Sequence, residues 1–239
     1  MFETLLIIAA IAGGAVASVS GFGIGSILTP MVSARIDTKL AVALVSVPHL
    51  AGTLIRFLRL RRHVNRSLAL TFGMASAIGG LTGALLHRYA TAPALTLIFG
   101  ILLVFAGLSG LSGIAERMEF RGAWRWVGGF ASGGFGGLVG NQGGIRSAAM
   151  LGFDLSKESF VATATAIALV VDAARMPVYF ATHYEAISQT WPIVVIATVG
   201  VIAGTLLGSS LLSRIPARLF KRVVSTLVTG LGIYMLLQR

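Results

Sequence analysis

The chain contains no cysteine and few charged residues. None of its 239 residues is Cys, and Asp, Glu, Lys and Arg together make up 11%. The lack of thiols excludes disulfides, iron–sulfur clusters and zinc sites built on cysteine. The sequence also lacks a GxxxxGK[ST] phosphate-binding loop and any cluster of metal ligands or activated nucleophiles. We therefore expect neither an enzyme nor an ATP-driven pump, and we expect no cofactor and no metal.

Hydrophobic residues dominate what is present. They make up 56% of the chain, and the mean hydropathy is +0.88, which a soluble domain of this length could not hide from water. We predict an all-α polytopic membrane protein. The net charge is +11, and the basic residues flank apolar segments. This charge indicates cytoplasmic loops that obey the positive-inside rule, or a path for anions, rather than nucleic-acid binding.

One glycine-rich motif interrupts the first apolar run, residues 5–32. It reads Ser20-Gly21-Phe22-Gly23-Ile24-Gly25-Ser26 and is followed by Pro30. Each glycine lowers helix propensity by about 1 kcal/mol and permits non-helical backbone angles, so we predict that the helix breaks here. Within a bilayer, a break is tolerated only where it is buried in protein or lines a cavity. The motif is therefore a candidate binding site.

The second half of the chain repeats this layout. Residues 124–153 form another interrupted run, which contains Gly140-Asn141-Gln142-Gly143-Gly144, and a shift of 119 places lays Gly21 on Gly140. We predict two repeats, residues 1–115 and 116–239, each a broken or re-entrant hairpin plus three transmembrane helices. The expected helices are residues 40–60, 68–86 and 93–113 in the first repeat and residues 159–181, 191–212 and 216–237 in the second.

The distribution of basic residues predicts the topology. If both broken segments crossed the membrane fully, Lys and Arg outside the second break would divide ten against eight between the two faces. If each segment turns back, with arms of about 20 Å, they divide thirteen against five. The positive-inside rule favours the second arrangement. Three true crossings per repeat then invert the second repeat, so that the two hairpin tips enter from opposite faces and meet near the midplane.

The chemistry of the predicted tips favours anions. A returning helical arm has free N–H groups and the positive end of its dipole near the membrane centre. Arg146 adds a planar fork of donors that suits carboxylate, sulfonate or sulfite oxygens; alternatively, it reaches a headgroup or pairs with Asp154. The predicted substrate-binding residues are Ser20, Gly21, Gly23, Gly25, Ser26, Gly140, Asn141, Gln142, Gly143, Gly144 and Arg146.

Other polar residues lie in the helices that follow the hairpins. Thr163 and Thr165 could supply hydroxyls to the substrate, although such residues more often bond carbonyls of their own helix. His49, Asp172 and Arg175 are candidates for coupling or gating; a structural histidine hydrogen-bonded between helices and an Asp172–Arg175 ion pair are the alternatives. We interpret the five arginines of residues 56–66 as a cytoplasmic topology signal, with a contact to lipid headgroups as the second interpretation.

The two glycine motifs resemble the paired motifs of the sulfite exporter TauE/SafE family of membrane permeases. The resemblance extends over essentially the whole chain. It implies a carrier in the bacterial inner membrane for small sulfur-containing or organic anions, such as sulfite, sulfoacetate or other sulfonates, often on the export side. The motifs map to Gly21, Gly23, Gly25 and Pro30, and to Gly140, Gly143 and Gly144. The second motif departs from the pattern, with Asn141 and Gln142 where glycine is more usual and Ala149 where proline is expected.

From this we expect a secondary anion transporter that works by alternating access. The alternatives are an anion channel of the same fold and a membrane assembly partner that transports nothing. The expected partners are a small anionic substrate and membrane lipid; a monomer and a homo-oligomer are both compatible with the sequence.

Overall fold

The computed structural model describes residues 1–114, 122–141, 143–151, 153, 155–212 and 216–237. Every regular element within these ranges is helical, and the protein is an all-α polytopic membrane protein. A short 3₁₀ turn, Arg61–His63, follows the third helix. The helices are α1 (Phe2–Ser20), α2 (Ile24–Ser33), α3 (Thr38–Leu60), α4 (Arg66–Tyr89), α5 (Ala92–Ser112), α6 (Trp124–Val139), α7 (Gly143–Leu151), α8 (Lys157–Gln189), α9 (Trp191–Leu212) and α10 (Ala217–Leu237).

Six segments in the described part are long and apolar enough to cross a membrane. They lie in α1, α3, α4, α5, α8 and α9, whereas α2 and the described apolar part of α10, Arg222–Leu237, are shorter. The chain is therefore a multi-pass membrane protein. The share of residues that are buried in the most apolar 18-residue stretch is 67% in α8 and 61% in α3, whereas it is 28% in α1. Helices α3 and α8 thus form the centre of the bundle, and α1 lies at its edge.

The helix ends follow local sequence chemistry. Asp37 caps α3, and Asn65 caps α4, each by accepting a hydrogen bond of 3.0 Å from a backbone N–H three residues later. The six predicted helices are present with boundaries within about three residues, except one. Helix α8 was expected to end near residue 181 but continues to Gln189. The chain has no glycine or proline between Pro177 and Pro192 that would end it; instead the helix bends at His183, where φ is −131°.

Each predicted break separates a long helix from a short one. Helix α1 ends at Gly21 with φ 78°, and α6 ends at Gly140 with φ 74°. Both values lie in the left-handed region, which costs a residue with a side chain roughly 1–2 kcal/mol. The arms are unequal, with 19 and 10 residues in the first hairpin. The expectation of two similar arms of about 20 Å was therefore wrong, because the glycine motif, residues 20–26, lies in the second half of the apolar run, residues 5–32.

The helices pair in two ways. Helix α1 runs parallel to α9, and α6 runs parallel to α4, in both cases with small residues at the contact. In contrast, α3 and α8 are antiparallel, and so are α5 and α10. The contacts that give these directions are Ala10–Gly200 and Ala15–Gly208 for α1 and α9, Phe72–Gly129 and Gly80–Gly137 for α4 and α6, His49–Asp172 and Arg56–Thr165 for α3 and α8, and Gly100–Gly232 and Gly110–Ser225 for α5 and α10. The pairing is symmetric between the two halves of the chain. When α1, α3, α4 and α5 are exchanged with α6, α8, α9 and α10, the pair α1–α9 becomes α6–α4, and the two antiparallel pairs are unchanged.

Candidate functional site

The two hairpins cross each other at their tips. Nη2 of Arg146 on α7 donates to the carbonyl of Gly21 at 3.0 Å, which joins the tip of the first hairpin to the returning arm of the second. The reciprocal contact joins the tip of the second hairpin to α2: the Ser26 hydroxyl lies 3.5 Å from Oδ1 of Asn141. The structure therefore brings together residues from the two predicted motifs that are more than 100 positions apart in the chain.

Close backbone approach makes this crossing compact. A Cβ atom added to Gly25 would lie 2.5 Å from the carbonyl oxygen of Gly140, and one added to Gly143 would collide with the Phe22 side chain. The amino end of α2, at Gly23, has no side-chain cap. The first backbone N–H groups of α2, and with them the positive end of its helix dipole, therefore lie at the crossing.

Arg146 is buried at this crossing and incompletely bonded. Its side chain is 1% exposed, so it does not reach a headgroup. Its Nε and Nη1 atoms have no acceptor among the described residues. The alternative partner, Asp154, lies outside the described residues. Buried donors without acceptors cost about 1–3 kcal/mol each, and more when the group is charged. The guanidinium therefore has free donor capacity on its Nε and Nη1 side.

Arg56 on α3 is a second buried arginine, which the sequence interpretation placed wrongly. It was assigned to a cytoplasmic basic cluster, but its side chain is 3% exposed and its Nε donates to Oγ1 of Thr165 at 2.8 Å. Nη1 of Arg56 has no acceptor in the described part of the chain. The remaining four arginines of residues 56–66 are exposed. Arg56 differs because it lies two helical turns after His49, on the face of α3 that is turned to α8.

Asp172 links two cationic or ionisable partners in the interior. Its Oδ2 lies 2.7 Å from Nδ1 of His49 on α3, and its Oδ1 lies 2.8 Å from Nη2 of Arg175. The expected ion pair with Arg175 is thus present, and so is the histidine hydrogen-bonded between helices. Arg175 also donates to the carbonyl of Gly136 at 2.6 Å, in the last turn of α6. The pair therefore connects α3 and α8 to the tip of the second hairpin.

The buried charges do not balance. Among the described residues, three arginines are buried, Arg56, Arg146 and Arg175, and one carboxylate, that of Asp172. Both Asp172 oxygens are already used by His49 and Arg175. A low-dielectric interior with surplus positive charge and unused N–H donors favours a bound anion.

Comparison with known proteins agrees with this electrostatic arrangement. The family model described as sulfite exporter TauE/SafE matches residues 5–235, nearly the whole chain. The chain belongs to the sulfite exporter TauE/SafE family. Membership implies a membrane permease that transports sulfur-containing anions. No match was found among curated proteins or among solved structures.

The remaining predicted residues that the structure describes differ in their hydrogen bonding. The Ser20 hydroxyl is 2.7 Å from the carbonyl of Phe22 and 2.9 Å from that of Val16, so it is engaged by its own hairpin. Thr163 and Thr165 do not simply bond their own helix, because Thr163 accepts from the backbone N–H of Asn65 and Thr165 accepts from Arg56. Gly144 lies in α7, and Gln142 lies outside the described residues.

Three buried polar side chains on α2 and α3 with atoms unbonded in the described part of the chain were not predicted as site residues. Besides Arg56, these are Thr29 on α2 and Thr53 on α3, whose hydroxyls have no partner among the described residues. Thr53 precedes Arg56 by three positions and so lies on the same face of α3. One signal was available: the shift of 119 places that superimposes the glycine motifs also lays Arg56 on Arg175.

Proposed function

We propose that this TauE/SafE permease is a secondary carrier that moves a small sulfur-containing or organic anion, such as sulfite, sulfoacetate or another sulfonate, across the bacterial inner membrane, in the export direction. The observation that carries the proposal is Arg146, a fully buried arginine with one guanidinium nitrogen on the Gly21 carbonyl and two without acceptors among the described residues. Guanidinium donors of this kind bind sulfonate, sulfite or carboxylate oxygens in a charge-assisted manner.

The mechanism we propose is alternating access between two inverted repeats, residues 1–115 and 116–239. The antiparallel packing of α3 on α8 and of α5 on α10 supports the inversion, because equivalent helices of two repeats with the same orientation would run parallel. The exchange symmetry of the helix pairs supports the division into repeats. Each repeat contributes one hairpin to the crossing, so relative movement of the repeats changes the face from which the anion is reached.

We assign coupling or gating to His49, Asp172 and Arg175. These three side chains join α3 of the first repeat to α8 and to the end of α6 in the second. A relative movement of the repeats has to break or shift this network. It therefore resists conversion between the two states until protonation or bound anion compensates the change.

The test is a thermal-shift screen of the purified full-length protein in detergent, against sulfite, sulfate, sulfoacetate, methanesulfonate and acetate. We expect concentration-dependent stabilisation by at least one sulfur-containing anion. Arg146→Gln should abolish this stabilisation while leaving the unliganded protein folded. Arg61→Gln, which removes an exposed arginine of the same charge, is the matched control and should behave like the unmodified chain.

Transport by the same protein in proteoliposomes separates the carrier from its alternatives. Saturable uptake that is accelerated by unlabelled anion on the opposite side of the membrane supports a carrier. Unitary currents in planar bilayers would instead identify an anion channel. A protein that no anion stabilises and that transports none would contradict the proposal and favour the membrane assembly partner.

A further inference from the structure

We propose that Arg56 is a second cationic ligand of the anion held by Arg146, and that the permease therefore selects small dianions over monoanions of the same shape. This inference rests on the proposed function, because it names the substrate class of the same site. Arg56 comes from α3 in the first half of the chain and Arg146 from α7 in the second. The ligand is thus held by one guanidinium from each half.

The bonding of Arg56 leaves part of its guanidinium available. Thr165 accepts from Nε at 2.8 Å and so fixes the plane of the guanidinium. Nη1 lies in the interior without an acceptor among the described residues. Arg146 has the same property at two of its nitrogens. An arginine held only for packing would have its buried donors satisfied, because each donor left unpaired costs stability.

The charges around the pair indicate a doubly charged ligand. The two arginines are anchored at neighbouring points of α8. A Cβ added to Gly21, whose carbonyl accepts from Arg146, would lie 3.2 Å from Cβ of Ala164, and Arg56 donates to the next residue, Thr165. Among the described buried side chains, the three arginines Arg56, Arg146 and Arg175 exceed the carboxylate of Asp172 by two positive charges, and both Asp172 oxygens already bind His49 and Arg175. A monoanion neutralises one of the two guanidiniums and leaves the other uncompensated, whereas a dianion neutralises both.

The two arginines are held by different elements, which favours a ligand with an anionic group at each end. Arg56 is anchored to α8 by Thr165, and Arg146 is anchored to the Gly21 carbonyl at the tip of the first hairpin. A ligand with anionic groups at two ends can contact both donors without bringing the guanidiniums closer to each other. Sulfoacetate, with one sulfonate and one carboxylate, has this character. Methanesulfonate is the matched monoanion that keeps the sulfonate alone.

The experiment compares these two anions by thermal shift in the full-length protein. We expect sulfoacetate to stabilise the unmodified chain at concentrations at least about tenfold below those needed for methanesulfonate, because a second buried charge pair adds affinity. Arg56→Gln should lose this preference and retain methanesulfonate binding. Arg146→Gln should lose both ligands, and Arg61→Gln should keep the preference.

The outcomes distinguish this inference from the proposed function. If no anion stabilises the unmodified protein, the proposed function fails. If both anions bind but with equal affinity, or if Arg56→Gln weakens both equally, the inference is overturned while the proposed function stands. Arg56→Lys keeps the charge and should restore the preference.

If Arg56→Gln does not fold, Thr165→Val provides the test, because this substitution releases Nε of Arg56 without removing its charge. A selective loss of sulfoacetate affinity in Thr165→Val supports the inference, and unchanged affinities for both anions overturn it.

Discussion

Asp172 of α8 joins His49 of α3 through one carboxylate oxygen and Arg175 through the other. This arrangement makes a single buried carboxylate the electrostatic partner of two side chains. Because Arg175 continues to the Gly136 carbonyl, the network reaches from the central helices to the second hairpin.

Removal of the Asp172 charge should destabilise the protein strongly. Asp172→Asn leaves Arg175 buried without its counter-charge, and breaking one partner of a buried ion pair costs about 3–5 kcal/mol. We expect a clearly lower melting temperature of the purified protein. The control is Glu185→Gln, which neutralises an exposed carboxylate on the same helix and should leave the melting temperature nearly unchanged. Equal melting temperatures of the two variants would contradict the structural role assigned to Asp172.

Substitution of His49 should separate anion binding from proton movement. His49 faces Asp172 directly and is also within electrostatic range of Arg175 and Arg56. If the network couples transport to protons, anion uptake into proteoliposomes changes the internal pH, as read by a trapped fluorescent indicator. His49→Gln should still be stabilised by the anion but should no longer move protons. An unchanged proton flux in this variant would show that the histidine is structural.

Gly25 should not tolerate a side chain. A Cβ at this position would lie 2.5 Å from the Gly140 carbonyl, and neither backbone can move without separating the hairpins. We expect Gly25→Ala to lower stability by about 1–3 kcal/mol and to abolish anion-dependent stabilisation. Gly230→Ala is the control, because a Cβ there meets nothing within 4 Å in the interior of α10. It should be neutral or slightly stabilising, by up to about 1 kcal/mol. Equal effects at both positions would argue against a tight crossing.

Single cysteines should report the orientation of the two halves. The natural chain has no cysteine, so each introduced thiol is the only one. Arg61 and Lys157 are both exposed, and the inverted arrangement places them on the same face of the membrane. Arg61→Cys and Lys157→Cys should therefore react with an impermeant maleimide from the same side, and Arg88→Cys from the other. Labelling of Arg61→Cys and Lys157→Cys from opposite sides would exclude re-entrant hairpins.

Much of the architecture was predictable because it depends on local sequence. Long apolar runs define the helices, and glycines such as Gly21 and Gly140 define the breaks, where the left-handed backbone angles are observed. Contact between the two tips was also predicted, from the repeat and the distribution of basic residues. The backbone contact of Gly25 with Gly140 is consistent with that expectation. These features need no knowledge of which side chains face each other.

The site itself was less predictable because its partners are distant in the chain. The other arginines of residues 56–66 are exposed, and the packing of α3 on α8 distinguishes Arg56 from them. Its alignment with Arg175 was the one signal in the sequence. Asp172 and Arg175 could be paired from their spacing, but the bond from Asp172 to His49 spans 123 positions. The boundary of α8 was missed because a kink at His183 bends the helix without a sequence marker that would end it.

The crossing of the hairpins also has a consequence for biogenesis. The Gly21 carbonyl receives its hydrogen bond from Arg146, which the ribosome adds 125 residues later. The first hairpin is therefore synthesised before the second hairpin exists. Until Arg146 is added, the Gly21 carbonyl has to remain without this donor. A truncated chain that stops before residue 146 would lack this donor to the Gly21 carbonyl, and an unsatisfied backbone group in the lipid core costs stability.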